Sequence, residues 1–229
     1  VEALRERVVA EKADCGAALD GDADRCILVG ASGRVLDGDH ALLIAGRDLK
    51  AAGSLGGEQA EIVATVMSNL GLERALAASG LGLRRTPVGD KYVLEEMERT
   101  GLSLGGEQSG HVIFRQYATT GDGMMTALRV VDAARRAGRG LEELVEDFVI
   151  YPQRLVNVRF KRKRPLEELP EVQEKIRETE RHFGERGRVL VRFSGTEPLA
   201  RVMVEGPDLG EVEAHAQRIA GAISEALGA

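Results

Sequence analysis

Cysteine is scarce in the 229-residue sequence. Only Cys15 and Cys26 occur, without the paired spacing of a thiolate metal site. A disulfide-dense scaffold is therefore excluded. With no signal-like segment ahead of the two thiols, the expectation is a reducing cytoplasm and buried, unpaired cysteines. Long apolar runs are missing too. None approaches the roughly 18 residues of a membrane-spanning helix, so no membrane partner is expected. Positive charge is in short supply: 31 Lys and Arg against 37 Asp and Glu leave a formal charge of -6. This argues against a nucleic-acid partner, although a local basic cluster can still hold a small phosphate. The densest cationic run, Lys161-Arg162-Lys163-Arg164, is expected to be a solvated strand end or turn. An initiator Met is also absent. The chain opens directly into a helical pattern, and the expectation is a portion of something longer.

What is present suffices for a sizeable core, since hydrophobic residues make up 43% of the chain. Apolar periodicity predicts a helix within Val1–Ala13 and a short buried strand over 15–19 that ends at Asp20-Gly21-Asp22-Ala23-Asp24-Arg25. A hairpin follows over 26–30 and 34–36, turning at Ala31-Ser32-Gly33. Helices over 39–52, 72–79 and 91–100 then alternate with strands over 61–67 and 82–86, the pattern of α/β layering. A glycine-rich loop, 105–111, precedes a short strand through Phe114, and a helix from Met124 to about Ala137 places Met124, Leu128 and Val131 on one face. Beyond Tyr151-Pro152-Gln153 the pattern becomes strand, helix, two strands and helix, with Asp208 as the last helix's N-cap and Val212, Ala216, Ile219, Ile223 and Leu227 buried. The boundary is placed near Ile150.

Asp20, Asp22 and Asp24 alternate in one tight loop, separated only by Gly21 and Ala23. Three hard oxygen donors in so short a span suit Mg²⁺, which keeps its other positions for water and a phosphate oxygen. A plain acidic surface turn would not require such spacing directly after an apolar strand. An EF-hand also opens D-x-D-x-D, but positions six and twelve would be Gly and Glu, whereas Arg25 and Ala31 stand there.

DGDADR resembles the DGDGDR metal loop of the α-D-phosphohexomutase superfamily. TPVGDKYV at 86–93, GEQSGH at 106–111, TTGDG at 119–123 and RFSGTEP at 192–198 resemble further blocks of that family, in family order across nearly the whole chain. GEQSGH together with ATVMSN at 64–69 is more similar to the phosphoglucosamine mutase branch than to phosphomannomutases/phosphoglucomutases, where GEMSGH is typical. Two positions depart from the pattern. Ala23 replaces the usual Gly, which is tolerated if its φ is not positive, and Lys91 stands where Arg is common, keeping charge but losing the bidentate fork.

The resemblance implies a mixed-sheet α/β fold followed by a smaller α+β domain: 1–36 as the end of domain two with the metal loop, 37–150 as domain three and 151–229 as domain four. It implies Mg²⁺ on Asp20, Asp22 and Asp24, catalytic roles for Arg25, Lys91 and His111, and the sugar on Glu107 and Ser109. The phosphate falls to Arg192, Ser194, Gly195 and Thr196, a turn whose guanidinium, hydroxyls and N–H groups suit a dianion. Arg201 is a further candidate on the adjoining strand. The earlier Gly56-Gly57-Glu58-Gln59 lacks the Ser-Gly-His continuation and reads as a chance match.

The implied reaction interconverts glucosamine 6-phosphate and glucosamine 1-phosphate through a sugar 1,6-bisphosphate, with a phosphosugar as partner and a homodimer compatible with it. Its nearest rivals are a phosphomannomutase/phosphoglucomutase and a noncatalytic phosphosugar-binding module. The family's phosphoserine segment, ASHNP-like, has no counterpart here. Ser32 and Ser68 lie in Ala-Ser-Gly-Arg and Met-Ser-Asn.

Overall fold

The computed structural model describes residues 1–194 and 197–228. Helix α1, Glu2–Glu11, leans through Leu4 and Val8 on Gly16 of strand β1, Cys15–Leu19. β1 pairs antiparallel with β2, Cys26–Gly30, which pairs in turn with β3, Val35–Leu36. The expectation of a buried β1 is corrected. As the edge strand, covered on one face by α1, it leaves Ala17 and Leu19 exposed. Both thiols are free, but only Cys26 is buried, and burial pushes its pKa up to about 11. Cys15 is half-buried, in accord with its edge position.

A second sheet, of order β5-β4-β6-β7, follows in the same compact unit, Val1–Val149. β4 (Glu61–Thr65) runs parallel to both β5 (Gly82–Thr86) and β6 (Leu104–Gly106), while β7 (Val112–Phe114) returns antiparallel to β6. Alternate β4 side chains feed two cores. Ile62 and Ala64 join Leu42, Leu49, Leu72 and Leu76 from helices α2 (Gly38–Ala51) and α3 (Leu70–Ala78). Val63 joins Val93 and Met97 of α4 (Asp90–Thr100) on the other face.

β6 was not legible as a strand because two of its three residues, Gly105 and Gly106, have low strand propensity. Packing decides it. A Cβ on Gly105 would meet Val93 and Met97, and one on Gly106 would meet the His111 carbonyl. In helix α5, Gly123–Ala137, Met124, Leu128 and Val131 share a face as expected, and that face is exposed. The buried stripe is Thr126, Ala127, Val130 and Ala133, mostly small side chains suited to close packing in the unit.

The second unit, Ile150–Ala229, is a three-stranded antiparallel sheet of order β8-β10-β9, formed by Gln153–Arg159, Leu199–Glu205 and Arg188–Phe193. Helices α6 (Pro170–Phe183) and α7 (Leu209–Leu227) bury Val172, Phe183, Val212, Ile219 and Ile223 with Val202 and Val204 of the sheet. Asp208 caps α7 by accepting from the Glu211 N–H at 2.9 Å. Lys161, Arg162, Lys163 and Arg164 are exposed. The architecture is a mixed-sheet α/β unit followed by a smaller α+β unit. No helix among the described residues is long and apolar enough to cross a membrane.

Candidate functional site

In an open sheet with parallel strands, ligands gather outside the carboxyl ends of those strands. β4, β5 and β6 end at Thr65, Thr86 and Gly106, and the segments that follow them carry the motifs singled out in the sequence. Thr65, Met67, Val88, Glu107, Gln108 and Ser109 line one cavity of about 410 Å³. The GGEQ copy at 56–59 instead precedes β4, at the opposite end of that strand.

Glu107 is oriented from two sides. Its Oε1 accepts from the Gly89 N–H at 3.0 Å and its Oε2 from the Ser109 hydroxyl at 3.2 Å. The TPVGDK segment is thus tied to the glycine-rich loop by the carboxylate expected to meet a sugar. Such a carboxylate and hydroxyl are held ready for a polyol without first paying the entropy of ordering. Lys91 lies in the first turn of α4, with its side chain 74% exposed and 3.7 Å from Glu95.

The acidic loop between β1 and β2 brings Asp20, Asp22 and Asp24 together, with one oxygen from each within 4.8 Å of the others. Among the described residues, the buried Asp24 Oδ1 has no hydrogen-bond partner, an orphaned acceptor that a hard cation would satisfy. The donor set therefore fits Mg²⁺. Asp20 has a pKa below the ordinary carboxyl value: desolvation, the largest single influence, raises it, but the Arg25 N–H, the contact with Asp24, its own backbone N–H and the Arg25 charge together outweigh that. The Arg25 guanidinium is half-exposed, 3.8 Å from Asp20 and 3.9 Å from Asp24. Ala23 has φ 60°, so the condition for its easy tolerance is not met; the loop holds a non-glycine residue in the left-handed region.

Acidic loop and glycine-rich loop are joined directly. The Cys26 N–H donates to the Gly110 carbonyl at 3.0 Å, and Arg25 and His111 form an antiparallel bridge. His111 Nε2 accepts from the Gly121 N–H at 2.9 Å, so the ring proton resides on Nδ1, which donates to Asp24 Oδ2 at 3.1 Å. His111 is buried and engaged at both nitrogens. The TTGDG segment completes the joint: its Gly123 N–H donates to the Ala23 carbonyl at 2.9 Å, and Asp122 caps α5.

In the second unit, Arg192 is the penultimate residue of β9 and Ser194 follows the strand, the Ser194 N–H donating to the Leu199 carbonyl at 2.7 Å. Gly195 and Thr196 lie outside the described residues. Strand register places Arg201 directly opposite Arg192. Sequence reasoning could not settle Arg201, because alternation along a strand does not reveal which partner residue it faces. It missed Met67 and Val88 altogether, since both sit in irregular segments whose shared cavity only the fold creates.

Two family models match the chain: "Phosphoglucomutase/phosphomannomutase, alpha/beta/alpha domain III" over residues 37–151 and "Phosphoglucomutase/phosphomannomutase, C-terminal domain" over 155–222. Among curated proteins it is similar to the phosphoglucosamine mutase of Solibacter usitatus, 62% identical over 100% of this chain and 51% of the relative. It is also similar to that of Koribacter versatilis, 50% identical over 94% of this chain and 46% of the relative. Among solved structures it is similar to Aspergillus fumigatus N-acetylphosphoglucosamine mutase in complex with GlcNAc-6P and magnesium. That match has a TM-score of 0.72 and 25% identity, covering 92% of this chain and 48% of the other. A phosphoglucomutase/phosphomannomutase family protein from Burkholderia thailandensis shares the fold at a TM-score of 0.73 and 20% identity, over 96% and 48% of the two chains. The chain spans about half the length of the curated relatives it matches.

Proposed function

The chain belongs to the phosphoglucomutase/phosphomannomutase family, and from that premise we propose that it forms the C-terminal half of a phosphoglucosamine mutase. Joined to a portion that supplies a phosphoserine, it would interconvert glucosamine 6-phosphate and glucosamine 1-phosphate through a sugar 1,6-bisphosphate. Residues 1–36 would close the second domain of that enzyme, 37–150 form the third and 151–229 the fourth. The observation that carries the reading is the joint between the acidic loop and the glycine-rich loop, made by Asp24 with His111 and by Cys26 with Gly110. It sets a cation site beside a polyol site, the pairing that phosphoryl transfer to and from a sugar requires.

Asp20, Asp22 and Asp24 would hold Mg²⁺, which neutralises charge on phosphoryl oxygens when bound. His111, donating to Asp24, fixes that carboxylate's orientation. Arg25 and Lys91 supply cationic charge toward the phosphoryl group, Lys91 by swinging from its solvent-exposed position. Glu107 and Ser109 take the sugar hydroxyls. Arg192 and Ser194, with Gly195 and Thr196, take the phosphate that is not transferred. No ASHNP-like segment occurs in this sequence, so this chain alone would show no mutase turnover even with Mg²⁺ and the bisphosphate. The intact enzyme would be a cytoplasmic phosphoprotein.

The test is turnover, side by side, of glucosamine 6-phosphate, glucose 6-phosphate and mannose 6-phosphate by the polypeptide extended with its upstream coding sequence. Preference for the amino sugar supports the reading. Preference for either other sugar moves the protein to the phosphomannomutase/phosphoglucomutase branch, and turnover by the 229-residue chain alone would place the nucleophile elsewhere.

A further inference from the structure

Asp39 is a fully buried carboxylate that none of the chemistry above uses. Burying such a group is costly unless it is well hydrogen-bonded, and its bonds point to a task. It lies in the first turn of α2, the element packed beneath both walls of the 410 Å³ cavity. On one side the preceding residue, Gly38, donates its N–H to the Gln108 carbonyl at 3.0 Å, and a Cβ there would collide with the Glu107 carbonyl. On the other, Asp39 Oδ2 accepts from the Asn69 N–H at 2.8 Å. Asn69 in turn caps α3 by accepting from the Gly71 N–H at 2.9 Å.

The segment 66–69 so held carries Met67, which lines the cavity together with Glu107, Gln108 and Ser109. Arg85 supports it from β5, donating to the Ser68 carbonyl at 2.8 Å. One turn of helix therefore grips both walls: Gly38 the polar one and Asp39 the one bearing Met67. We infer that Asp39 is a positioning residue, fixing the Met67 wall at a set distance from Glu107 and Ser109 so that the cavity fits a hexose phosphate. The geometry is independent of the proposed function; only the ligand rests on it.

The groups that act on Asp39 are Asp37 on α2, Ser68 and Asn69 from the held segment, and Arg85 from β5. Burial, then the Asp37 charge, raise the Asp39 carboxyl to about 7, against the opposing pull of the Asn69 N–H, the Ser68 hydroxyl and Arg85. The wall should accordingly respond to pH near neutrality.

The experiment uses this chain with Asp39→Leu and Asp39→Asn. It reads the ¹³C-methyl NMR signal of Met67, amide exchange at Asn69, and affinity for glucosamine 6-phosphate in Mg²⁺. Asp39→Leu should speed Asn69 exchange at least tenfold, shift the Met67 signal and weaken glucosamine 6-phosphate about tenfold, leaving Mg²⁺ affinity unchanged. Asp39→Asn, which keeps an acceptor, should restore the first three toward wild type while abolishing a Met67 titration that wild type shows with a midpoint near 7. Unchanged Asn69 exchange and Met67 signal in a folded Asp39→Leu would overturn the inference whatever the ligand. If both respond but sugar-phosphate affinity does not, the hexose-phosphate reading fails and the positioning stands. If Asp39→Leu does not fold, the Asn69 amide decides in wild type and Asp39→Asn: protection from exchange in both supports the grip, and unprotected exchange in wild type overturns it.

Discussion

Arg192 and Arg201 stand directly opposite each other on the antiparallel strands β9 and β10, so their side chains leave the same face of the sheet. Like charges in that relation repel. Burial, and then the Arg201 charge, lower the Arg192 pKa. Among the described residues, Arg201 pairs with Glu197 at 3.6 Å and its buried Nε has no hydrogen-bond partner. A pair so arranged gains a partner when a dianion arrives.

Arg201→Gln should therefore act with opposite signs on folding and binding. The phosphate-free chain is expected to hold its stability or gain slightly, because the repulsion is relieved. Affinity for a sugar phosphate should fall by roughly 1.5 to 3 kcal/mol, the worth of a hydrogen bond to a charged group. Arg192→Ala should lose affinity by a similar amount. Thermal unfolding with and without ligand checks both signs; a variant that loses stability without losing affinity would make Arg201 merely structural.

Asp22→Asn should abolish most Mg²⁺ binding, since it removes one of three carboxylates converging within 4.8 Å. Without a phosphoserine oxygen beside the site, wild-type binding by this chain should itself be weaker than in the intact enzyme. Isothermal titration of both proteins provides the check, and equal affinities would remove the metal assignment.

Ala23→Gly should stabilise the first unit. A non-glycine residue in the left-handed region costs roughly 1 to 2 kcal/mol, and glycine's greater unfolded-state freedom returns about 0.4 to 1 of that, for an expected gain near 0.5 to 1. The unfolding midpoint should rise with Mg²⁺ chelated, so that metal binding does not contribute. A fall would mean that Ala23 makes a packing contribution larger than its backbone cost.

Ala23 also shows where sequence reading stops. The clustering of carboxylates in the acidic loop was legible from their spacing, but the positive φ at Ala23 was not; its carbonyl accepts from the Gly123 N–H, 100 residues away, a contact that local pattern does not reveal. Strands β5 and β9 were legible from local pattern alone. β6 was not, since Gly105 and Gly106 have low strand propensity and stand there because Val93 and Met97 at the first, and the His111 carbonyl at the second, leave no room for a Cβ. Apolar spacing gave α5 its helical period but not which face turns inward. Close packing favoured Ala127, Val130 and Ala133 over the bulkier Met124 and Leu128.

The second unit should lose stability in mild acid through His215. Burial, then the His182 and Arg218 charges, lower its pKa against the pull of Glu211 and Glu178. Its Nδ1–H donates to the Thr179 hydroxyl at 2.9 Å, that hydroxyl being committed as donor to the Lys175 carbonyl. A His depressed in the folded state is neutral there, so its contribution is complete above the ordinary value of about 6.5 and declines as pH falls through the folded pKa. Denaturant midpoints between pH 7.5 and 5 should drop in wild type and drop less in His215→Gln. Parallel pH profiles would assign the loss to other groups.

As proposed, the acidic loop and the Glu107 loop form one site for an amino-sugar phosphate. Titration of glucosamine 6-phosphate into this chain with saturating Mg²⁺, for wild type and Glu107→Ala, tests it most directly. The claim predicts saturable binding, stronger than for mannose 6-phosphate, that falls at least tenfold in the variant while Mg²⁺ affinity is retained. Equal affinity for the two sugars, or binding indifferent to Glu107, would contradict it.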